Sequence, residues 1–147
     1  MVLGSIFGIL IIAGVIGFVI LAVKGNALDA ESKAYVDRVT PALLTNLNKE
    51  TLFTYASDEL KASASPAEFD GAFAVFAKLG KLKEYKGSKG EATMSISSER
   101  GKQITGVYQA FAEFEQGPAT IKISVIKKGD RWQILGFFIN SAALVKE

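Results

Sequence analysis

The first 23 residues constrain this chain more than any other stretch. From Val2 to Val23 there is no charged side chain, and Ser5 is the only hydroxyl or amide. Wound as a helix at about 1.5 Å per residue, that run is roughly 33 Å long, enough to cross a hydrocarbon layer of about 30 Å. The reading is a single-pass transmembrane helix over residues 1–24, a linker or helix start over 25–33, and one domain over 34–147. The alternative is a cleaved secretory signal that releases a secreted domain. A signal has a basic start, a shorter apolar stretch and a small-residue cleavage site. Here no Lys or Arg precedes the apolar run, although Gly25-Asn26-Ala27 has the small residues a cleavage site needs.

Glycine placement gives the apolar run a possible second use. Gly4 and Gly8 share one helical face. Ala13 and Gly17, with Gly14 beside them, lie about 180° away at 100° per residue. Small residues let helices approach closely in lipid, where packing rather than hydrophobicity holds them together. The implied partners are lipid and other membrane subunits, or a second copy of the chain. The plainer reading is that glycine is common in membrane spans. Lys24, Lys33 and Arg38 follow the run, and by the positive-inside rule they place the domain in the cytoplasm.

Beyond the anchor, about 120 residues remain, which is one domain and enough for a core without covalent staples. The mean hydropathy of +0.25 is raised by the anchor. A net charge of +2 gives no argument for a nucleic-acid partner. The absence of cysteine removes disulfide and thiol chemistry. The absence of histidine removes the usual metal ligand, general base and triad base, so a metal site would have to be all oxygen and an acid–base site would need Asp, Glu, Lys or Tyr; with no catalytic motif, the expectation is no metal, no cofactor and no catalysis.

The rest of the chain changes period at Gly80. Asn26 and Asp29 are candidate helix caps, and Tyr35, Val36, Val39, Leu43, Leu44 and Leu47 recur at helical spacing. Pro41 removes one donor and predicts a kink or break near Thr40. A second helix follows, with Leu52, Phe53, Ala56 and Leu60 on its apolar face. Ser65 and Pro66 open a third, which carries Phe69, Phe73, Phe76 and Leu79 and ends at Gly80. Alternating segments then run through Ala92–Ser97, Val107–Phe114, Thr120–Val125 and Trp132–Ile139. Lys128-Gly129-Asp130-Arg131 reads as a hairpin turn, and Gly87, Gly90, Gly101 and Gly117-Pro118 as breaks between strands. Helices followed by an antiparallel meander make an α+β plan, with the sheet curled round the third helix.

This order of elements resembles the NTF2-like (cystatin-like α+β) superfamily from about Ala34 to Ser141. The residues that carry it are Leu52…Tyr55-Ala56-Ser57…Leu60, Pro66 with Phe69, and the closing Gly129-Asp130-Arg131-Trp132-Gln133-Ile134. The ending is similar to that of uncharacterised small bacterial members with one N-terminal hydrophobic segment. The resemblance implies about three helices on a curved four-stranded antiparallel sheet. It also implies export, with the domain on the extracytoplasmic, periplasmic face, against the lysine count. Family enzymes hold carboxylates, Tyr or His inside the cone of the sheet, and no such motif matches here residue by residue. Candidate cone-lining residues are Tyr35, Tyr55, Phe73, Phe76, Met94, Tyr108 and Trp132, with Asp58 and Glu113 at the mouth. The alternative is that the tyrosines pack with hydroxyls at the surface and the acids are solvated.

Lys78, Lys81, Lys83, Lys86 and Lys89 face only Glu84 in the same stretch, and are candidates for contact with anionic lipid. The alternative is a solvated helix end and strand edge. Gly87-Ser88-Lys89-Gly90 lacks the spacing and the following helix of a phosphate loop. Taken together, the residues read as a non-catalytic membrane protein serving as accessory or scaffold subunit of a larger assembly. The second reading is a small-ligand-binding module, or a weak enzyme, that uses the cone.

Overall fold

The computed structural model describes residues 11–12, 19–23, 26–98 and 101–145. The elements are β1 (Ile11–Ile12), β2 (Val19–Val23), α1 (Asn26–Thr45), α2 (Lys49–Tyr55), α3 (Asp58–Lys61) and α4 (Pro66–Phe76), then a 3-10 turn at Ala77–Leu79. Four long strands follow: β3 (Leu82–Ser97), β4 (Gly101–Phe114), β5 (Gly117–Lys128) and β6 (Arg131–Asn140). A second 3-10 turn at Ala142–Val145 closes the described chain. The α+β plan and the four-stranded antiparallel meander are as expected. The two short N-terminal strands extend the sheet at both ends, in the order β1-β6-β5-β4-β3-β2.

Those two strands differ from the helix expected over residues 1–24. Ile11 and Ile12 pair with Phe137 and Gly136, and Val19, Ile20 and Val23 pair with Ile96, Ser95 and Met94. Five of the seven residues in the two strands are β-branched, and the outer edges of β3 and β6 offer backbone groups to bond. Among the described residues no helix is long and apolar enough to cross a membrane. Gly4, Gly8, Ala13, Gly14 and Gly17, the candidate helix-packing residues, lie outside the described residues.

Helix α1 is continuous through Pro41, so the break expected near Thr40 does not occur. Val36 and Val39 before the proline and Leu43 and Leu44 after it are all buried. Burying one such side chain contributes roughly 1.5–3 kcal/mol, enough to keep both halves in one helix despite the lost donor. The predicted second helix is instead two. Ala56 turns extended (φ −75°, ψ 145°) and bridges Ile134, and the Ser57 N–H donates to the Ile134 carbonyl at 2.8 Å. Ser57 then caps α3 through its hydroxyl, which accepts from Leu60 N–H.

Ser65 opens α4 with a full capping box, its hydroxyl accepting from Glu68 N–H while the Glu68 carboxylate accepts from Ser65 N–H. The helix passes into the 3-10 turn before Gly80, whose φ of 79° ends it. Phe69, Phe73 and Phe76 point into the core. Phe69 meets Phe53 edge-on at 5.0 Å, and Phe73 and Phe76 both meet Phe137 at just over 6 Å. The end of the phenylalanine stripe thus packs on Phe137 and its start on Phe53.

Gly87 and Gly90 were expected to break the sheet but lie inside β3. Gly87 takes φ 98° at a shift in register between Tyr85 and Ser88, so it bulges the strand without ending it. Gly101, Gly117 and Gly129 do sit where strands begin or turn. A second bulge explains why β6 is apolar nearly throughout. Val125 pairs with Ile134 but Ser124 with Gly136, which leaves Leu135 as the extra residue. Ile134 and Phe137 join the main core, while Leu135 packs separately with Ile126.

Candidate functional site

An open cleft of about 560 Å³ lies between α1, the end of α2 and the β5–β6 hairpin. From α1 come Glu31, Ala34, Tyr35 and Arg38, spaced i, i+3, i+4 and i+7 and therefore on one helical stripe. Thr54 and Tyr55 come from the last turn of α2, and Asp130, Arg131, Trp132 and Gln133 from the hairpin. The local chain explains each placement. The Ala56–Ile134 bridge ties the end of α2 to β6. Gly129 at φ 64° permits a two-residue turn, with Lys128 opposite Arg131, so Arg131 and Trp132 emerge at the rim.

Trp132 forms much of the apolar wall. It is 9% exposed, and its indole N–H donates to the Glu31 carboxylate at 3.0 Å. Lys127 donates to the same oxygen at 2.7 Å and lies over the indole ring. Hydrogen bonds from Lys127 and then from Trp132 hold Glu31 below the usual carboxylate range. Glu31 is therefore an ionised acceptor already occupied by two donors.

The other polar groups are not so engaged. The Arg38 guanidinium lies over the Tyr35 ring, 5.3 Å from its centre, and makes no ion pair among the described residues. Arg131 and the hydroxyls of Tyr35 and Tyr55 likewise have no hydrogen-bond partner among the described residues. Burial pushes the Tyr35 phenol up to about 12, although Arg38 draws it back down. The cleft therefore presents two guanidiniums and two phenol hydroxyls that can donate, and burial keeps the Tyr35 phenol protonated at neutral pH. Asp130 in the exposed turn is the remaining carboxylate.

The sequence-predicted cone residues divide into two groups. Tyr35, Tyr55 and Trp132 line the cleft. Phe73, Phe76 and Tyr108 instead fill the core. The Tyr108 hydroxyl is not at the surface: it meets the Ser32 hydroxyl and donates to the Asp29 carbonyl. Met94 is half-buried and lies outside both the core cluster and the cleft. Asp58 is exposed on α3, and Glu113 faces Lys86 at 3.9 Å, so neither reaches the cleft.

Of the lysines considered for lipid contact, Lys78, Lys81, Lys83, Lys86 and Lys89 are all exposed, and Lys89 lies over Phe111. Lys127 and Lys128, nearer the cleft, are engaged by Glu31 and Glu59. Sequence reasoning missed Arg38 and Arg131 as site residues. The signal for Arg38 was its place three residues after Tyr35 on the same stripe. Arg131 carried no comparable signal, because its approach to α1 depends on how the hairpin docks. No protein-family model, curated protein or solved structure matches the chain.

Proposed function

We propose that this chain is a non-catalytic binding protein with an NTF2-like domain, holding a small ring-bearing molecule in the cleft beside Trp132. The observation that carries the reading is the set of unengaged donors around an aromatic wall, in a cleft whose size lies within the usual range for small-ligand sites. Binding is favoured over turnover by the protonation states. The guanidiniums and the raised Tyr35 phenol donate hydrogen bonds and take up no proton at neutral pH, and Glu31 Oε1 already accepts from Lys127 and Trp132.

Trp132 is the only tryptophan, so its emission reports directly on the cleft. A panel of neutral, cationic and anionic ring compounds is titrated against that emission in the full chain held in mild detergent. At least one is expected to bind with Kd below about 1 mM, and Ala34→Phe, which fills the cleft, should weaken it about tenfold or more. A panel with no binder below that limit sinks the reading.

A second reading rests on the uncharged run Val2–Val23: a membrane accessory or scaffold subunit, anchored by that run, with its domain on the extracytoplasmic side. Backbone groups in a spanning helix cannot also bond the sheet edges, so anchoring requires Ile11–Ile12 and Val19–Val23 to leave β6 and β3. Detergent extraction followed by native mass measurement tests it. A persistent monomer that co-purifies with no other subunit counts against the scaffold role.

A further inference from the structure

The charge in the cleft selects a ligand class. Arg38, Arg131 and Lys127 bring three positive charges, and Glu31 and Asp130 bring two negative ones. Lys127 and Glu31 neutralise one another at 2.7 Å, which leaves two guanidiniums against one carboxylate in the exposed turn. A cationic ligand would meet Glu31 with its charge already paired by Lys127, and would face two guanidiniums of its own sign. An anionic ligand finds donors without partners. Guanidinium presents a planar fork that matches a carboxylate in two parallel hydrogen bonds. The tyrosine hydroxyls add neutral donors beside it, and the burial of Tyr35 keeps its phenol protonated. The rings of Trp132 and Tyr55 give the remainder of a ligand an apolar surface.

We infer that the cleft binds a planar aromatic carboxylate, its carboxylate between Arg38 and Arg131 with the Tyr35 hydroxyl, and its ring against Trp132 and Tyr55. The inference rests on the binding role proposed for this cleft and specifies its ligand. A simple inorganic anion fits less well, because it would leave the aromatic wall uncovered. A neutral ring compound would leave the guanidiniums unpaired.

The test uses benzoate, its neutral analogue benzamide, and acetate as the anion without a ring. Each is titrated into the full chain in mild detergent with Trp132 emission as readout. Benzoate is expected to bind with Kd on the order of 100 μM, in line with the efficiency of small ligands. Benzamide and acetate should each bind about tenfold more weakly or worse, and R38Q and R131Q should each weaken benzoate by about tenfold or more. Both arginines are exposed, so their variants should keep the wild-type urea midpoint, which is measured alongside. Benzamide binding as tightly as benzoate, or benzoate binding unchanged in both arginine variants, overturns the carboxylate assignment but leaves the cleft a ligand site. Silence from benzoate while a neutral ring compound binds has the same meaning. Silence from every compound overturns the binding role as well.

Discussion

Ser57 and Ser65 do the same chemistry at different depths, and the difference can be measured. Each caps a helix with its hydroxyl, accepting from the backbone N–H three residues on at 3.1 Å. Ser57 is fully buried, as is Leu60, whose N–H it satisfies. Ser65 is exposed. In S57A the Leu60 N–H loses its acceptor where water has no access. The lost cap and the stranded donor describe one event and do not add, so the cost is about 2 kcal/mol. In S65A water replaces the hydroxyl and the cost is about 0.5–1 kcal/mol. At about 2.1 cal/mol/K per residue over roughly 120 residues, unfolding entropy is near 0.25 kcal/mol/K. The expected fall in Tm is then about 8 °C for S57A and about 2–4 °C for S65A. Far-UV circular dichroism and Trp132 emission should give coincident transitions, which licenses the comparison. A loss in S57A no larger than in S65A would refute the argument, because burial would then not set the cost of an orphaned donor. The bond from the Ser57 N–H to the Ile134 carbonyl is a backbone bond, so S57A keeps the tie between the end of α2 and β6.

Polar and steric details give three further expectations. Asp37 takes hydrogen bonds from Lys33, Tyr85 and Ser88, joining α1 to β3. Burial pushes its carboxyl up, but those three bonds outweigh burial and hold it below its ordinary value. A depressed folded value stabilises above the unfolded pKa of about 3.9 and is lost as pH falls through the folded one. D37N should therefore be less stable than wild type at pH 7 by about 1 kcal/mol, given partial exposure, and the gap should close in acid. A gap in urea midpoints that widens below pH 4 would contradict this. Among the glycines, Gly71 is exposed in α4 with no atom within 4 Å of an added Cβ, so G71A should raise stability by about 0.5–1 kcal/mol. At Gly90 the added Cβ would collide with the Val107 carbonyl oxygen. G90A should cost at least about 2 kcal/mol, and an unchanged Tm would mean that β3 and β4 are paired in another register.

What the sequence disclosed depended on whether the deciding interaction was local. The helix start at Ser65 and Pro66, the turn at Gly129-Asp130 and the phenylalanine stripe of α4 each follow from residues a few positions apart, and each was legible. Pro41 does not break its helix, because its local cost is outweighed by four buried side chains on the same helix, whose partners lie across the core. Ala56 was assigned to a helix because nothing local shows that Ile134 waits to bridge it, seventy-eight positions later. Gly87 and Gly90 were read as breaks because glycine permits a turn, but it also permits a bulge, and the partner strand chooses. The cleft shows both cases. Its α1 stripe is a local pattern. The pairing of Glu31 with Trp132, 101 residues apart, is not.

The apolar run Val2–Val23 is ambiguous for a physical reason that more local reading cannot remove. Hydropathy measures the cost of leaving side chains in water, and both a bilayer and a sheet edge with an apolar neighbour relieve it. The two differ in where the backbone hydrogen bonds go. In a spanning helix every N–H bonds four residues back within the run. In the observed strands the partners are Phe137 and Gly136 on one edge and Ile96, Ser95 and Met94 on the other. Isoleucine and valine suit both environments, being apolar for the first and β-branched for the second. The edges then supply the discriminating chemistry. If Ile11–Ile12 and Val19–Val23 enter a bilayer, the outer edges of β3 and β6 are left with unpaired backbone groups beside Ile96, which is already 41% exposed. Occupancy of the membrane and completion of the sheet are thus competing uses of the same residues.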